Sequence, residues 1–414
     1  FWWKLVRLGS PLHASALPSQ MSEAAPAKAA SAGDAARLPR GPWWRFGCEL
    51  ELNPYMCGYI GGCHLLALHA VMVLLCFGGR DVILARIGDA VGMASVAAPV
   101  KSATLWFALA MWPISALGIT GGSHRLWAHR SYEAHFLLRC FLLLCNSAAN
   151  QGSIFHWARD HRVHHLYSDT ASDPHDSNRG IFYSHVGWLL VKKPHAVIEA
   201  GRKLDLADLR SDPIVMFQKR LDPWWNFAWC FAMPAVAAAA LWGESLWNGF
   251  LFAGVLRYVW LLHCTWSVNS IVHKFGPRPY DPANDARENG FVAFLAIGEG
   301  WHCWHHAYGF DYATAELGCL QQFNPTKFFI DAMALVGLVS GRKRATRQWE
   351  ARKQLWSKRL ECKGLRLREG LRGPPFFRVR TIDEVPIDQA AATPDAATGA
   401  EGSSLRVRRR PERQ

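Results

Sequence analysis

Four apolar runs, each close to the ~20 residues an α-helix needs to cross a bilayer core, decide most of what this chain can become. They fall at about residues 59–77, 102–121, 224–242 and 246–268. The runs come as two pairs, separated by about a hundred residues dense in His, Asp and Arg, and a second polar block follows the fourth run. An even number of crossings returns both polar blocks and both termini to one side. The Lys and Arg of residues 153–220 and 341–380 place that side in the cytosol by the positive-inside rule. The expected fold is therefore an all-α integral membrane protein, with four transmembrane helices beneath a cytosolic helical cap. Pro234 interrupts the third run, and Arg257 and His263 the fourth. A soluble buried bundle could carry them, but so can a membrane bundle whose ionisable groups face its interior, which is the reading adopted. A fifth apolar stretch, residues 135–145, is too short to span and carries Arg139, so it is expected to lie along the interface.

Composition narrows the class further. Half of the 414 residues are apolar, with twenty Trp and twenty-two Phe, which excludes a disordered chain. The formal charge is +13, but nineteen Lys or Arg and nine Asp or Glu lie beyond residue 340, so ten of those charges belong to the C-terminal segment. A basic tail of this kind gives no reason to expect nucleic acid as a partner. The eleven cysteines never occur as Cys-x-x-Cys, so neither a disulfide framework nor a zinc ribbon is expected. Residues 1–42 divide into a stretch before Met21, read either as an artefact or as a weak targeting peptide, and an Ala/Ser/Pro-rich stretch expected to be disordered. Residues 43–345 form the expected membrane domain, and 346–414 a basic, largely disordered cytosolic tail.

Nine of the eighteen histidines fall into a pattern. His124 and His129 follow the second apolar run as His-x4-His, and His161, His164 and His165 form His-x-x-His-His. Asn269 and His273 close the fourth run, and His302, His305 and His306 repeat His-x-x-His-His. Residues three or four apart share a helix face, so each such motif presents its imidazoles together. Nine neutral nitrogen donors can ligate a pair of metals, and imidazole suits iron, zinc and copper alike. Asp160, Asp169, Asp173, Asp176 and Glu299 are candidate acceptors for the outer N–H groups, with Asp176 read as a solvated charge. His13, His64, His69, His135, His156, His175, His185 and His195 are read as ordinary core or surface residues.

These motifs resemble those of the membrane-bound fatty acyl-CoA Δ9-desaturases, the stearoyl-CoA desaturase family. The resemblance rests on Gly118-Ile119-Thr120 leading into His124-Arg125-Leu126-Trp127, on Trp157 to Arg162, and on Ser184 to Leu190. Thr265-Trp266, Asn269 to His273, Arg278 to Asp281 and Gly298-Glu299-Gly300 extend it over about residues 45–345. The family implies a cap holding two irons, with the nine histidines as ligands and Asn269 holding a metal-bound water. It implies O2 as co-substrate, two external electrons, and removal of hydrogen at C9 and C10 of a palmitoyl or stearoyl chain. No side chain need act as a nucleophile, so no catalytic residue beyond the metal ligands is expected.

By the same resemblance Gln151, Trp157, Thr265 and Trp266 sit at the bend of an apolar tunnel, and Arg159, Asp160, Lys192 and Lys193 meet the CoA end. From the residues alone the first four could be ordinary packing, and Lys192 and Lys193 a solvated basic surface. Gly152 and His263 stand where animal members usually carry Asn. Ala108 and Trp112 would line the tunnel's blind end, and an inward Trp112 implies a shallower tunnel that favours palmitoyl chains. With neither a haem motif nor a Gly-x-Gly-x-x-Gly, the electron donor is expected to be separate. The family implies cytochrome b5 with its NADH reductase, and the endoplasmic reticulum membrane. The basic segment from Arg342 to Arg372 could steer that donor or bind anionic lipid. The alternative function is an acyl-lipid desaturase or hydroxylase of the same histidine-box superfamily.

Overall fold

The computed structural model describes residues 50–82 and 98–387. The expectations for residues 1–42 and for 388–414 lie outside the described residues. Among the described residues, four helices are long and apolar enough to cross a membrane: α1 Pro54–Phe77, α2 Ser102–Ala128, and the two introduced below as α5 and α6. Helix α1 starts where the Asn53 side chain accepts from Met56 N–H at 3.3 Å with Pro54 in the first turn, and it ends at the left-handed Gly78. Leu65 and Leu75 on α1, Trp106 on α2 and Leu241 on α5 stay exposed, as suits side chains that face lipid.

Helix α3, Phe136–Ala149, exposes Phe136, Leu137 and Phe141 and buries Leu138, Leu142 and Asn146. That one-sided pattern suits a helix lying in the interface, and its Arg139 pairs with Asp212. Helix α4, Ile154–Tyr167, packs on the end of α2. Helices α5, Trp224–Trp242, and α6, Leu246–His273, complete the membrane bundle. The Arg257 that breaks the apolar pattern of α6 is 2% exposed and ties the bundle together. It donates to Ala253 O, Ser115 Oγ, Ala148 O and Cys230 O at 2.8–3.0 Å, reaching α2, α3 and α5.

The approach of α2 to α3 depends on Gly118. A Cβ at this position would lie 2.0 Å from Asn146 N and 2.6 Å from Asn146 Cα, backbone atoms that cannot step aside. Gly118→Ala is expected to cost about 1–3 kcal/mol as forced overpacking. The check is the melting temperature of the solubilised protein against Gly58→Ala on α1, where a Cβ meets nothing within 4 Å.

The cap continues with α7, Gly290–Leu295, α8, His302–Ala307, and α9, Pro325–Leu335. The loop between α7 and α8 turns tightly at Gly298, whose φ of 115° and 2.4 Å Cβ approach to Asn324 Oδ1 exclude a side chain.

Residues 346–387, expected to belong to a largely disordered tail, are folded. Helix α10, Thr346–Glu361, is followed by an antiparallel hairpin of β1, Leu365–Arg372, and β2, Val379–Pro386. Charge counting concealed the helical spacing of Trp349, Trp356 and Leu360, which turn one face of α10 onto the cap. Arg380 of β2 reaches the same core, pairing with the buried Glu316 at 2.6 Å.

Candidate metal centre and acyl cavity

His124 and His129 are five residues apart, which on an α-helix places them about 140° from each other. They meet because α2 widens at its end into π-helical turns over Gly118–Ala128, and His129 N–H donates to His124 O at 3.0 Å. The two ring centroids come to 4.9 Å. His161, His164 and His165 project from α4, His273 closes α6, and His302, His305 and His306 lie along α8.

Long-range packing sorts the nine imidazoles into two groups. His124, His129, His161, His165 and His305 form one, and His164, His273, His302 and His306 the other. In the first, His305 Nε2 is 2.9 Å from both His124 Nε2 and His165 Nε2, and His129 Nε2 is 2.8 Å from His161 Nε2. In the second, His302 Nε2 is 3.2 Å from His273 Nε2 and 3.0 Å from His306 Nε2, and His164 Nε2 is 3.2 Å from His306 Nε2. Asn269 lines the same cavity as His164 and His302.

The outer nitrogens are tied to acids. His164 Nδ1 faces Asp173 at 2.9 Å, His273 Nδ1 faces Asp169 at 3.0 Å, and His124 Nδ1 is 2.9 Å from Glu299 Oε2. An Nδ1–H held this way leaves the Nε2 of the same neutral ring as a lone pair. Unprotonated nitrogens about 3 Å apart repel one another unless a shared cation lies between them, so this donor set fits metal ions. Burial, and then the neighbouring rings, hold His129, His161, His165, His302, His305 and His306 far below the usual imidazole range, and hence neutral at pH 7. Burial opposes charge on His164 as well, but the Asp173 carboxylate outweighs it and raises this one imidazole. Burial would raise Asp173, yet His164 and His175 hold it down at about 2.

Two readings of single residues change. Asp176, taken as a solvated charge, is 4% exposed; burial pushes its carboxyl up to about 6, and it caps the turn at Asn178 N–H. His175, taken as ordinary, stands 3.5 Å from Asp173 and forms a third group with His164 and Asp173. The sequence also gave no hint that Arg125 is wholly buried. Its guanidinium donates to Glu299 Oε1 at 2.8 Å, to the carbonyls of Tyr312 and Ala313, and to Asn324 Oδ1. Its only signal was its place beside His124 in the motif.

A cavity of about 310 Å³ leads toward these groups, lined by Gln151, Trp157, Asp160, Thr265, Trp266 and Asn269 among others. A narrower one of about 50 Å³ shares Trp157, Thr265 and Asn269 with it and ends among Ala116, Leu261 and Cys264. Where they meet, Gln151 Nε2 donates to Thr265 Oγ1 at 2.9 Å and the Trp157 indole stacks on His161 at 4.9 Å. At the mouth, Asp160 binds Arg159 and Lys193, while Lys192 pairs with Glu51 on the surface. A Cβ on Gly152 would meet open space there. Ala108 and Trp112 line neither cavity. Trp112 sits one turn below Ala116 and packs edge-on against Trp260 at 5.8 Å and Phe294 at 6.5 Å. His263, which replaces an expected Asn, lies between His64 at 3.1 Å and His185 at 3.0 Å, two histidines read as ordinary core or surface residues.

Comparison with known proteins gives one family match and several close relatives. The family described as fatty acid desaturase matches residues 101–312. Stearoyl-CoA desaturase 5 of Bos taurus is 51% identical over 251 residues, covering 60% of this chain and 74% of the relative. The Homo sapiens protein of the same name is 50% identical over 254 residues, covering 61% and 76%. An acyl-CoA desaturase of Cyprinus carpio is 53% identical over 234 residues, covering 56% and 71%.

Proposed function

The chain belongs to the fatty acid desaturase family, and from that premise we propose that it is a multi-pass membrane enzyme that introduces a cis double bond at C9 of a saturated fatty acyl-CoA. The observation that carries the reading is the convergence of nine imidazoles in two close groups beside two cavities that share Trp157, Thr265 and Asn269. Two irons bound there would supply O2 activation and the oxidising power to take two hydrogens from an unactivated methylene pair. The protein does the positioning. Gln151, Thr265 and Trp157 shape the bend where the reacting carbons stop, and the apolar lining of Ala116, Leu261 and Cys264 excludes water from the chain beyond it. Arg159 and Lys193 stand at the mouth, where CoA phosphates need cations, and this favours a CoA thioester over a glycerolipid. Electrons come from cytochrome b5, and the enzyme resides in the endoplasmic reticulum membrane with its cap in the cytosol.

The test is expression in a yeast lacking its own Δ9-desaturase, with gas chromatography of the fatty acids and His165→Ala as control. New palmitoleate or oleate, abolished by the substitution, supports the reading. No monoene from a protein that is present and iron-loaded would turn it to the acyl-lipid or hydroxylase alternative.

Chain length supplies a second expectation. Because the inner cavity stops at Ala116 and Cys264, one turn above Trp112, the wild type should prefer palmitoyl over stearoyl chains, and Trp112→Ala should remove about nine heavy atoms from behind that end, let the cavity deepen and reverse that preference. A methylene in an apolar pocket is worth about 1–3 kcal/mol, so the ratio of the two kcat/KM values should move by at least ~10-fold. A wild type that already prefers stearoyl-CoA removes the idea.

A further inference from the structure

The electron donor for this chemistry must reach a buried centre. The back of α8, opposite its three histidines, carries Trp304, which is wholly buried. Trp304 packs edge-on against Tyr280 at 4.9 Å, and Tyr280 in turn against Trp349 of α10 at 5.2 Å. Trp304 and Trp349 are also direct neighbours at 6.4 Å. Two turns further along α10, the half-buried Trp356 packs on the same cluster and donates to Glu384 on the surface. Trp304 directly precedes His305 in the chain, so these rings form an aromatic column from the five-histidine group to the exterior. The column ends at α10, the element that sequence reading assigned to a disordered tail.

The outward side of α10 completes the picture. Arg347, Lys358 and Arg359 are exposed there around Leu355, itself 60% exposed, and the three cations enter no ion pair among the described residues. Lys353, by contrast, turns inward to Glu350 and Glu369. A cationic face with an apolar centre fits an acidic protein whose redox group lies at a partly apolar edge.

We propose that α10 is the docking face for an acidic one-electron haem protein, and that Trp349, Tyr280 and Trp304 carry its electrons to the metal-binding helix α8. The inference rests on the desaturase reading and deepens it by naming the surface and the route. Each turnover takes two hydrogens from the acyl chain, two protons and two electrons, and reduces O2 to two waters. The electrons arrive singly, as two ferrous haems become ferric. A lipid surface could also attract the cations of α10, but it would have no use for a stack of rings leading inward, and this favours the redox partner.

The experiment uses the full chain, iron-loaded, in nanodiscs, with the soluble haem domain of cytochrome b5 as probe. Arg347→Glu, Lys358→Glu and Arg359→Glu together should weaken binding at least 10-fold at low salt, and wild-type binding should itself fall as salt rises. The reference is Arg202→Glu with Lys203→Glu, on another exposed cap surface, which should leave binding unchanged. In anaerobic stopped flow, Trp349→Leu should keep the binding constant within twofold but slow haem oxidation at least 10-fold, and Trp349→Phe should restore most of the rate. Unchanged binding in the triple reversal overturns the docking face. So does a triple reversal that loses only its affinity for phosphatidylserine vesicles, which would assign α10 to lipid. An undiminished oxidation rate in a folded Trp349→Leu protein overturns the route. A dithionite-reduced wild type that makes no double bond with O2 sinks the desaturase reading itself. Dithionite-supported turnover with unaltered haem oxidation in every variant sinks only this inference.

Discussion

His305→Ala is expected to empty the five-histidine group of metal and to lower desaturation by more than ~100-fold, the upper end of what even an outer-shell partner costs a metal site. His305 is chosen because its Nε2 lies 2.9 Å from two other ring nitrogens of the group, those of His124 and His165, so no neighbour can take its place without moving α8. Iron per chain by mass spectrometry and product by gas chromatography should fall together. The four-histidine group shares none of these residues and should keep part of its metal. His195→Ala is the control, since that ring is 84% exposed and stands 3.7 Å from Glu199, away from both histidine groups. Unchanged iron content in His305→Ala would show that the convergent nitrogens do not hold the metal.

Glu299→Ala should produce the largest loss of stability. Glu299 and Arg125 are 7% and 0% exposed, and the carboxylate answers two guanidinium nitrogens as well as His124 Nδ1. Burial disfavours its charge, but Arg125 and then His124 hold Glu299 below the usual carboxylate range. Removing it leaves a cation buried without its counter-charge, a loss of about 3–5 kcal/mol. That is a large part of the ~5–15 kcal/mol that separates a folded domain from its unfolded state. The melting temperature should drop steeply, and the double variant Glu299→Leu with Arg125→Met should recover much of it, because apolar groups of similar volume bury without a charge. The double variant should still bind iron poorly, since His124 has lost the acceptor that orients its ring. Recovery of stability together with full metal loading would confine Glu299 to a structural role.

The two variants also separate what a linear reading reaches from what it misses. The His-x-x-His-His motifs were legible because residues three and four apart meet within one helix, whatever the rest of the chain does. His124 and His129 were legible only as a pair of letters, since their meeting depends on a widened turn. The division into five and four was not legible at all. It arises because His305 of α8 meets His124 of α2 and His165 of α4, while His302 and His306, on the same short helix, meet His273 and His164. Arg125 was unreadable for the same reason, its acceptors lying about 174 to 199 residues away along the chain.

The segment beyond residue 340 was misread in a way that teaches the limit. Its charge dominated the composition, while the fold is carried by Trp349 and Trp356, two residues whose partners Tyr280, Trp304 and Glu316 lie elsewhere in the chain. The sequence by itself determined the number of membrane helices and the identity of the nitrogen donors, because both depend on local chemistry: apolar length against bilayer thickness, and imidazole spacing against helix pitch. Only the tertiary structure decided which donors stand together, where the cavity stops and what α10 covers, because each of these is a contact between residues that the chain brings together from far apart.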